Sequence, residues 1–375
     1  MNNKIYMAGA DVGELEEEYV LDALRNGWYE NKYYYVETLE REFAEYHNRK
    51  YALMTPNCTT SIHLILAALG VGSGDEVIVP ECTWIASTVS SVHLGAKMVF
   101  CDIEKDTWCL DPDSVRESIT PKTKAIIAVD LFGNMANWKE LESISDEFDI
   151  PIIEDAAEAL GSVLDGRRAG NYGLASTFSF HNTKTMSTGE GGMLLLDDED
   201  LFHRCVKLRD LGRGPETKPY FNELVGYKFM PFNLQAALGL AQFHRIDELV
   251  EKKRHHLKFY RENLRDFDVQ INHEPDNVIN GAWITAVVLG EGYDISNKEV
   301  IRKAAEKDIP IRPFFYPLSS LPAFDCSDTY RELNKNSYDI SARGINLPGA
   351  FNLTDDDMYR VCDVIGSALK ERETC

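Results

Sequence analysis

One lysine, Lys184, lies in a loop between two apolar, β-prone runs. Ser176-Thr177-Phe178-Ser179-Phe180 precedes it and Met193-Leu194-Leu195-Leu196 follows it. Thr188-Gly189-Glu190-Gly191-Gly192 supplies the turn glycines, so the pattern predicts strand, tight loop, strand. An amine pinned between two buried strands is placed to form a Schiff base, because burial of a lysine disfavours its charged form and frees the lone pair. For this segment alone, a surface lysine in a hairpin is the simpler account. Three upstream stretches change that.

Asn57 precedes Cys58-Thr59-Thr60-Ser61 and an apolar stripe at helical spacing, Ile62, Ile65, Leu66 and Leu69. It reads as a helix N-cap, with the following amides pointing out of the helix start. Such an end is either a seat for a phosphate or a capped helix with no ligand. Ile152-Ile153-Glu154-Asp155 runs from a buried strand into two carboxylates, with Glu158 three residues on. Ligands of open α/β sheets bind at the carboxyl ends of strands, where Asp155 can pair with a protonated ring nitrogen. Acids that decorate a helix start fit the same residues. Trp84 follows the strand-like Val77-Ile78-Val79-Pro80, and its indole reads either as a core ring or as a platform for a heteroaromatic ligand. Taken together, a phosphate seat, a stacking ring, a carboxylate and a Schiff-base lysine describe a site for pyridoxal 5′-phosphate.

At this point the chain resembles the DegT/DnrJ/EryC1/StrS sugar aminotransferases, a branch of the fold-type I pyridoxal phosphate enzymes. The resemblance is carried by Asn57 to Leu64, Gly74 to Pro80, Ile153 to Ala159, Phe178 to His181 with Lys184, Thr188 to Gly192, Asn233 to Ala237 and Arg312 to Pro317, and covers nearly the whole chain. It implies that Lys184 carries the cofactor as a Schiff base and that Asp155 binds the ring nitrogen. Glu158, where relatives often have glutamine, would lie near the ring hydroxyl, and Trp84 would stack on the ring. The backbone of Cys58 and Thr59 and the hydroxyl of Ser179 would hold the phosphate. Cys58 stands where glycine is usual, and Tyr316 where histidine is frequent. In the run from Gly226 to Asn233, Lys228 replaces an asparagine that reaches across a dimer interface to the phosphate, and Met230 replaces an arginine.

The resemblance further implies a homodimer with shared sites. Its substrates would be a nucleotide-diphosphate keto sugar, a 4-keto-6-deoxy sugar by expectation, and L-glutamate as amino donor. Some relatives remove a sugar hydroxyl instead, but they carry histidine at the lysine position. A cofactor-bearing regulatory or binding protein without turnover is the third reading, and the intact Lys184, Asp155 and Ser179 set argues against it.

The elements that must position these groups alternate. Strands are expected at 51–54, 76–80, 97–102, 125–130 and 150–155, and helices at 11–26, 36–47, 85–94, 112–119 and 137–148. Short apolar strands without in/out alternation predict a mostly parallel sheet covered by helices, an α/β fold of aminotransferase type. After the lysine loop, 197–211 reads as a helix and 233–264 as one long or kinked helix. Strand-like 266–271, 282–289 and 309–312, with helices near 297–307 and 354–369, predict a smaller C-terminal α+β domain. The expected division is 1–249, binding the cofactor, and 250–375. The aromatic cluster Trp28, Tyr29, Tyr33, Tyr34 and Tyr35 reads as interface packing or as lining of a substrate entrance.

Lys and Arg number 39 against 61 Asp and Glu in 375 residues, a formal charge of −22. That balance argues against nucleic acid and against an acidic membrane surface. The eight cysteines form no CxxC pair and read as reduced thiols. The nine histidines show no HxxxH spacing, so no metal site is expected, and with no signal-like apolar start and no run of 18 apolar residues a cytoplasmic protein without membrane segments is expected.

Overall fold

Val77, Ile78, Val79, Ile126, Ile127, Ala128, Ile152 and Ile153 are almost fully buried, as strands covered on both faces are. They lie in a seven-stranded sheet of the computed structural model, which describes residues 4–214, 218–324 and 329–370. Its first strands are β1 (Tyr51–Thr55), β2 (Glu76–Pro80), β3 (Lys97–Cys101), β4 (Thr123–Val129) and β5 (Ile152–Asp155). The short β6 (Val163–Leu164) and β7 (Arg167–Arg168) belong to a separate small sheet, and β8 (Ala175–Ser179) and β9 (Gly192–Leu196) complete the large one.

The strand order is β1-β9-β8-β5-β4-β2-β3. From β8 to β3 neighbours run parallel, whereas β9 is antiparallel to both β8 and β1. The parallel strands bring Pro80, Val129, Asp155 and Ser179 to one edge of the sheet. Strand order reverses between β2 and β4, the place where a doubly wound sheet opens a crevice. The lysine loop joins β8 to β9 as a hairpin in which Ser179 faces Gly192.

Helices α1 (Glu14–Asn26), α2 (Tyr34–Tyr46), α3 (Cys58–Ala68), α4 (Ala86–His93), α5 (Pro112–Ser118), α6 (Trp138–Phe148) and α7 (Glu199–Arg209) fall near their expected places. The first starts three residues late because Gly13 is extended and its N–H is capped by the Glu16 carboxylate at 2.7 Å. The long helix is two, α8 (Asn233–His244) and α9 (Ile246–Leu264), broken at Arg245. That guanidinium is held by Glu16 at 2.7 Å, Glu248 at 3.1 Å and Asp11 at 3.2 Å. The small face of α8 packs on α1 and α2.

Beyond α9 come β10 (Val269–Ile271), β11 (Val278–Ile279), β12 (Ala286–Leu289), α10 (Asn297–Ala305) and β13 (Arg312–Pro313). They are followed by α11 (Thr329–Leu333), α12 (Lys335–Arg343), β14 (Gly344–Asn346) and α13 (Asp355–Lys370). The expected strand 282–289 is shorter than predicted, because Ala282 takes a left-handed turn (φ 55°) and the chain enters the strand only at Ala286. Four strands form a second sheet, β10-β12-β14-β13, and β11 joins β6 and β7. A second hydrophobic core gathers Tyr260, Leu264, Val287, Ile345, Val361 and Ile365. Six described cysteines are buried free thiols, and Cys326 and Cys375 lie outside the described residues. Among the described residues no helix is long and apolar enough to cross a membrane.

Candidate active site

At the carboxyl edge of the parallel strands a cavity of about 440 Å³ is lined by Cys58, Thr59, Trp84, Ser87, Asp155, Glu158, Ser179, Lys184, Trp283 and Arg312, among others. Every sequence-predicted site residue except Lys228 lines it. A larger hollow of about 690 Å³ opens beside β3 around the Lys97–Glu76 ion pair. Its polar groups, Glu76 with Lys97 and with the Thr120 hydroxyl at 2.6 Å, stand at the amino-terminal starts of β2 and β3, so position on the sheet rather than size selects the first.

The N-terminus of α3 forms one wall. Asn57 is the N-cap, its Oδ1 accepting the Thr60 N–H at 2.9 Å, and Thr60 Oγ donates back to the Asn57 carbonyl at 2.7 Å. The amides of Cys58 and Thr59, in the first turn, have no acceptor within the helix. Ser179, at the end of β8, lines the same wall. Gly192 brings β9 hard against it, since a Cβ there would come within 2.4 Å of Asn57 C and 2.5 Å of Cys58 N. A Gly192→Ala variant must push the helix start away. Overpacking of this kind costs about 1–3 kcal/mol, and we expect roughly tenfold weaker pyridoxal phosphate binding in an equilibrium titration, together with a lowered Tm.

Asp155 is buried at the end of β5. Its Oδ2 accepts the Ser87 hydroxyl at 2.7 Å, and its Oδ1 accepts the Ala157 N–H at 3.2 Å and the Cys58 thiol at 3.7 Å. Burial pushes the Asp155 carboxyl above its ordinary range, and the Ser87 bond is the largest effect opposing this. The Cys58 thiol is itself pushed well up, by burial and then by the Asp155 charge, so it remains a neutral donor. All three bonds leave Asp155 able only to accept, which suits a carboxylate facing a cationic N–H.

The Lys184 loop closes on itself through Phe180 N–H to Gly191 O at 2.8 Å, Asn182 N–H to Gly189 O at 2.9 Å and Lys184 N–H to His181 O at 2.9 Å. Gly189 occupies the left-handed region at φ 79°, where the turn favours glycine. Lys184 Nζ projects into the cavity, 3.1 Å from Glu158 Oε1 and 3.7 Å from the ring centroid of Trp283. Burial pushes Glu158 up, opposed first by the Lys184 charge. The other Glu158 oxygen accepts the Phe132 N–H at 3.1 Å. Trp84 is 59% exposed at the rim, tilted 38° to Phe315 at 5.9 Å.

Lys228 stands apart. Its Nζ pairs with Asp210 at 2.6 Å, and its side chain is 56% exposed. Three cavity residues were given no role by sequence reasoning. Ser87 sits three residues beyond Trp84 at a helix start, a spacing that places both on one side and was a usable signal. Arg312 opens the stretch to Pro317 that carries part of the resemblance, whereas Trp283 lies ninety-nine residues beyond Lys184 with no local pattern to announce it.

Lysine amine, buried carboxylate, helix-end amides with a serine hydroxyl, and a flat indole are the donor set that pyridoxal phosphate requires, so the residues fit that cofactor. The class is therefore a pyridoxal phosphate enzyme on an open α/β sheet. Residues 10–366 match the model of the DegT/DnrJ/EryC1/StrS aminotransferase family, and the chain belongs to that family. It is 36% identical to GDP-perosamine synthase of Vibrio cholerae over 352 residues, covering 93% of this chain and 95% of that protein. It is 34% identical to GDP-perosamine synthase of Escherichia coli O157:H7, covering 95% and 96%. The crystal structure of 3-amino-5-hydroxybenzoic acid synthase superposes with a TM-score of 0.91 at 26% identity, covering 98% of this chain and all of that one. The protein is an aminotransferase whose cofactor is pyridoxal 5′-phosphate.

Proposed function

We propose that this enzyme moves an amino group from L-glutamate to the keto carbon of a nucleotide-diphosphate deoxysugar, a 4-keto-6-deoxy sugar by preference. The observation that carries the reading is the convergence of Lys184, Asp155, Glu158, Ser179 and the α3 N-terminus in one cavity. Likeness to two GDP-perosamine synthases supports the sugar substrate.

Cys58 and Thr59 amides and the Ser179 hydroxyl would hold the phosphate, Trp84 the ring face, and Glu158 the side of the ring hydroxyl. When bound, pyridoxal phosphate supplies an electron sink for the carbon that loses its proton. Asp155 keeps a proton on the ring nitrogen. Lys184 Nζ would take the proton from the donor's α-carbon as base and would give that same proton, as acid, to the cofactor carbon to which the lysine had been joined.

Arg312 faces the cavity, and its guanidinium has no hydrogen bond or ion pair among the described residues. We assign it the donor carboxylate. Charge-assisted bonds contribute about 1.5–3 kcal/mol, so Arg312→Ala should raise KM for L-glutamate roughly 10- to 100-fold with kcat less changed. An unchanged KM would reassign the residue.

A homodimer is part of the reading, with Lys228 of each subunit serving the phosphate held by the other copy. Its support is the exposed apolar surface at Trp28, Tyr29, Tyr220, Phe221, Val225 and Phe232. A fully active monomer in light scattering would contradict it. We also take 1–249 and 250–375 as the two domains, in keeping with the second core, and the cytoplasm as the location, in keeping with reduced thiols.

The test is the visible spectrum of the purified protein before and after L-glutamate. A yellow protein that bleaches, and is re-coloured by a nucleotide-linked keto sugar, carries the proposal. A yellow protein indifferent to glutamate removes that donor.

A further inference from the structure

Three residues, Glu158, Trp283 and Phe132, close a ring around the Lys184 amine. Glu158 Oε1 lies 3.1 Å from Nζ on one side. The Trp283 ring centroid lies 3.7 Å away on another, within range of a cation–π contact. Trp283 stacks parallel to Phe132, at 6.1 Å and 14°. Phe132 in turn donates its N–H to the second oxygen of Glu158 at 3.1 Å. Phe132 holds a left-handed backbone, φ 56° and ψ 24°, a conformation a bulky residue adopts only where its surroundings enforce it.

Trp283 is also tied to the lysine loop itself, its indole N–H donating to the carbonyl of Thr183 at 2.7 Å. The ring is thus fixed to the residue next to Lys184 while its face receives the amine. A lysine has four rotatable side-chain bonds, and a freed amine samples many rotamers unless something holds it. Proton transfer requires the amine to meet the reacting carbon, and confining it to one side of the cavity reduces the rotamers it must search before it does so.

We propose that Trp283 is a positioning residue that, with Glu158, seats the Lys184 amine whenever it is not joined to the cofactor, and so governs the proton-transfer step and not the capture of pyridoxal phosphate. The inference rests on the aminotransferase reading above and deepens it. The aromatic face is the operative feature, because the neighbouring Phe132–Glu158 bond already fixes the carboxylate.

The test compares Trp283→Phe and Trp283→Leu in the full chain. Phenylalanine keeps the ring face and loses the indole N–H, and leucine loses both. Loss of a cation–π contact in a partly desolvated site predicts that Trp283→Leu slows the single-turnover bleaching by L-glutamate about tenfold. A larger isotope effect with 2-deuterated glutamate should accompany it, while pyridoxal phosphate affinity by absorbance titration changes less than threefold. Trp283→Phe should recover most of the rate. In cofactor-free protein, fluorodinitrobenzene should label Lys184 several-fold faster in the leucine variant than in wild type or the phenylalanine variant, read by mass spectrometry. A leucine variant with wild-type bleaching and labelling would overturn the proposal, as would a phenylalanine variant as impaired as leucine. If the wild type itself ignores glutamate, the donor assignment fails, and the labelling arm alone decides the role of Trp283.

Discussion

A Lys184→Ala variant is expected to lose turnover by at least about four orders of magnitude, because one side chain supplies both the covalent anchor and the proton carrier. The variant should show no yellow Schiff-base band, yet still retain pyridoxal phosphate without a covalent link through the α3 N-terminus, Ser179 and Asp155. Folding should survive. Removing the amine leaves Glu158 without its cation, and burial then pushes that carboxyl further up so that it takes a proton instead of standing as a bare buried charge. Its bond from Phe132 N–H remains available. Measurement of kcat, the absorbance spectrum and Tm together separates lost chemistry from lost structure. Turnover above about one per cent of wild type, in a well-folded variant, would remove Lys184 from its role.

An Asp155→Asn variant should bind cofactor and fold but react about two to three orders of magnitude more slowly, the range seen when one preorganised electrostatic contact is deleted. Asparagine preserves volume and can still accept from Ser87, but it carries no charge to keep the ring nitrogen protonated. Wild-type kcat in this variant would misassign Asp155. The same substitution carries a pH signature without cofactor. Burial raises the Asp155 pKa above its ordinary 3.8, so the proton binds more tightly in the folded than in the unfolded chain. Its stabilising effect is therefore full below 3.8 and is lost as pH rises through the raised folded value. Cofactor-free wild type should lose stability across that window more steeply than Asp155→Asn, and parallel Tm profiles of the two proteins would refute the burial argument.

Several parts of this site were legible in the sequence because their physics is local. The runs at Val77 to Val79, Ile126 to Val129 and Ile152 to Ile153 are apolar throughout because both faces of their strands are covered, and that alone announces a parallel sheet. Asn57 caps its helix with its own side chain, a contact spanning three residues. The glycines around Lys184 specify a tight turn between two strands before any partner is known. From these the lysine, the carboxylate at a strand end and the helix-end amides could be set on one edge of one sheet.

What the tertiary structure decided is everything that depends on groups far apart in the chain. The helix expected at 233–264 breaks at Arg245 because Asp11 and Glu16, more than two hundred residues away, hold its guanidinium. Trp283 leaves its expected strand at the left-handed turn of Ala282 and meets Lys184 from ninety-nine positions downstream. Ser87 and Cys58 converge on Asp155 across three separate elements. Lys228 is paired with Asp210 and stands away from its own chain's cavity. Periodicity and capping report forces that act within a turn or a strand pair, and they carry no record of side chains brought together by the packing of distant elements. The sequence by itself therefore determined which chemistry this chain can hold, and the tertiary structure decided which residues support that chemistry.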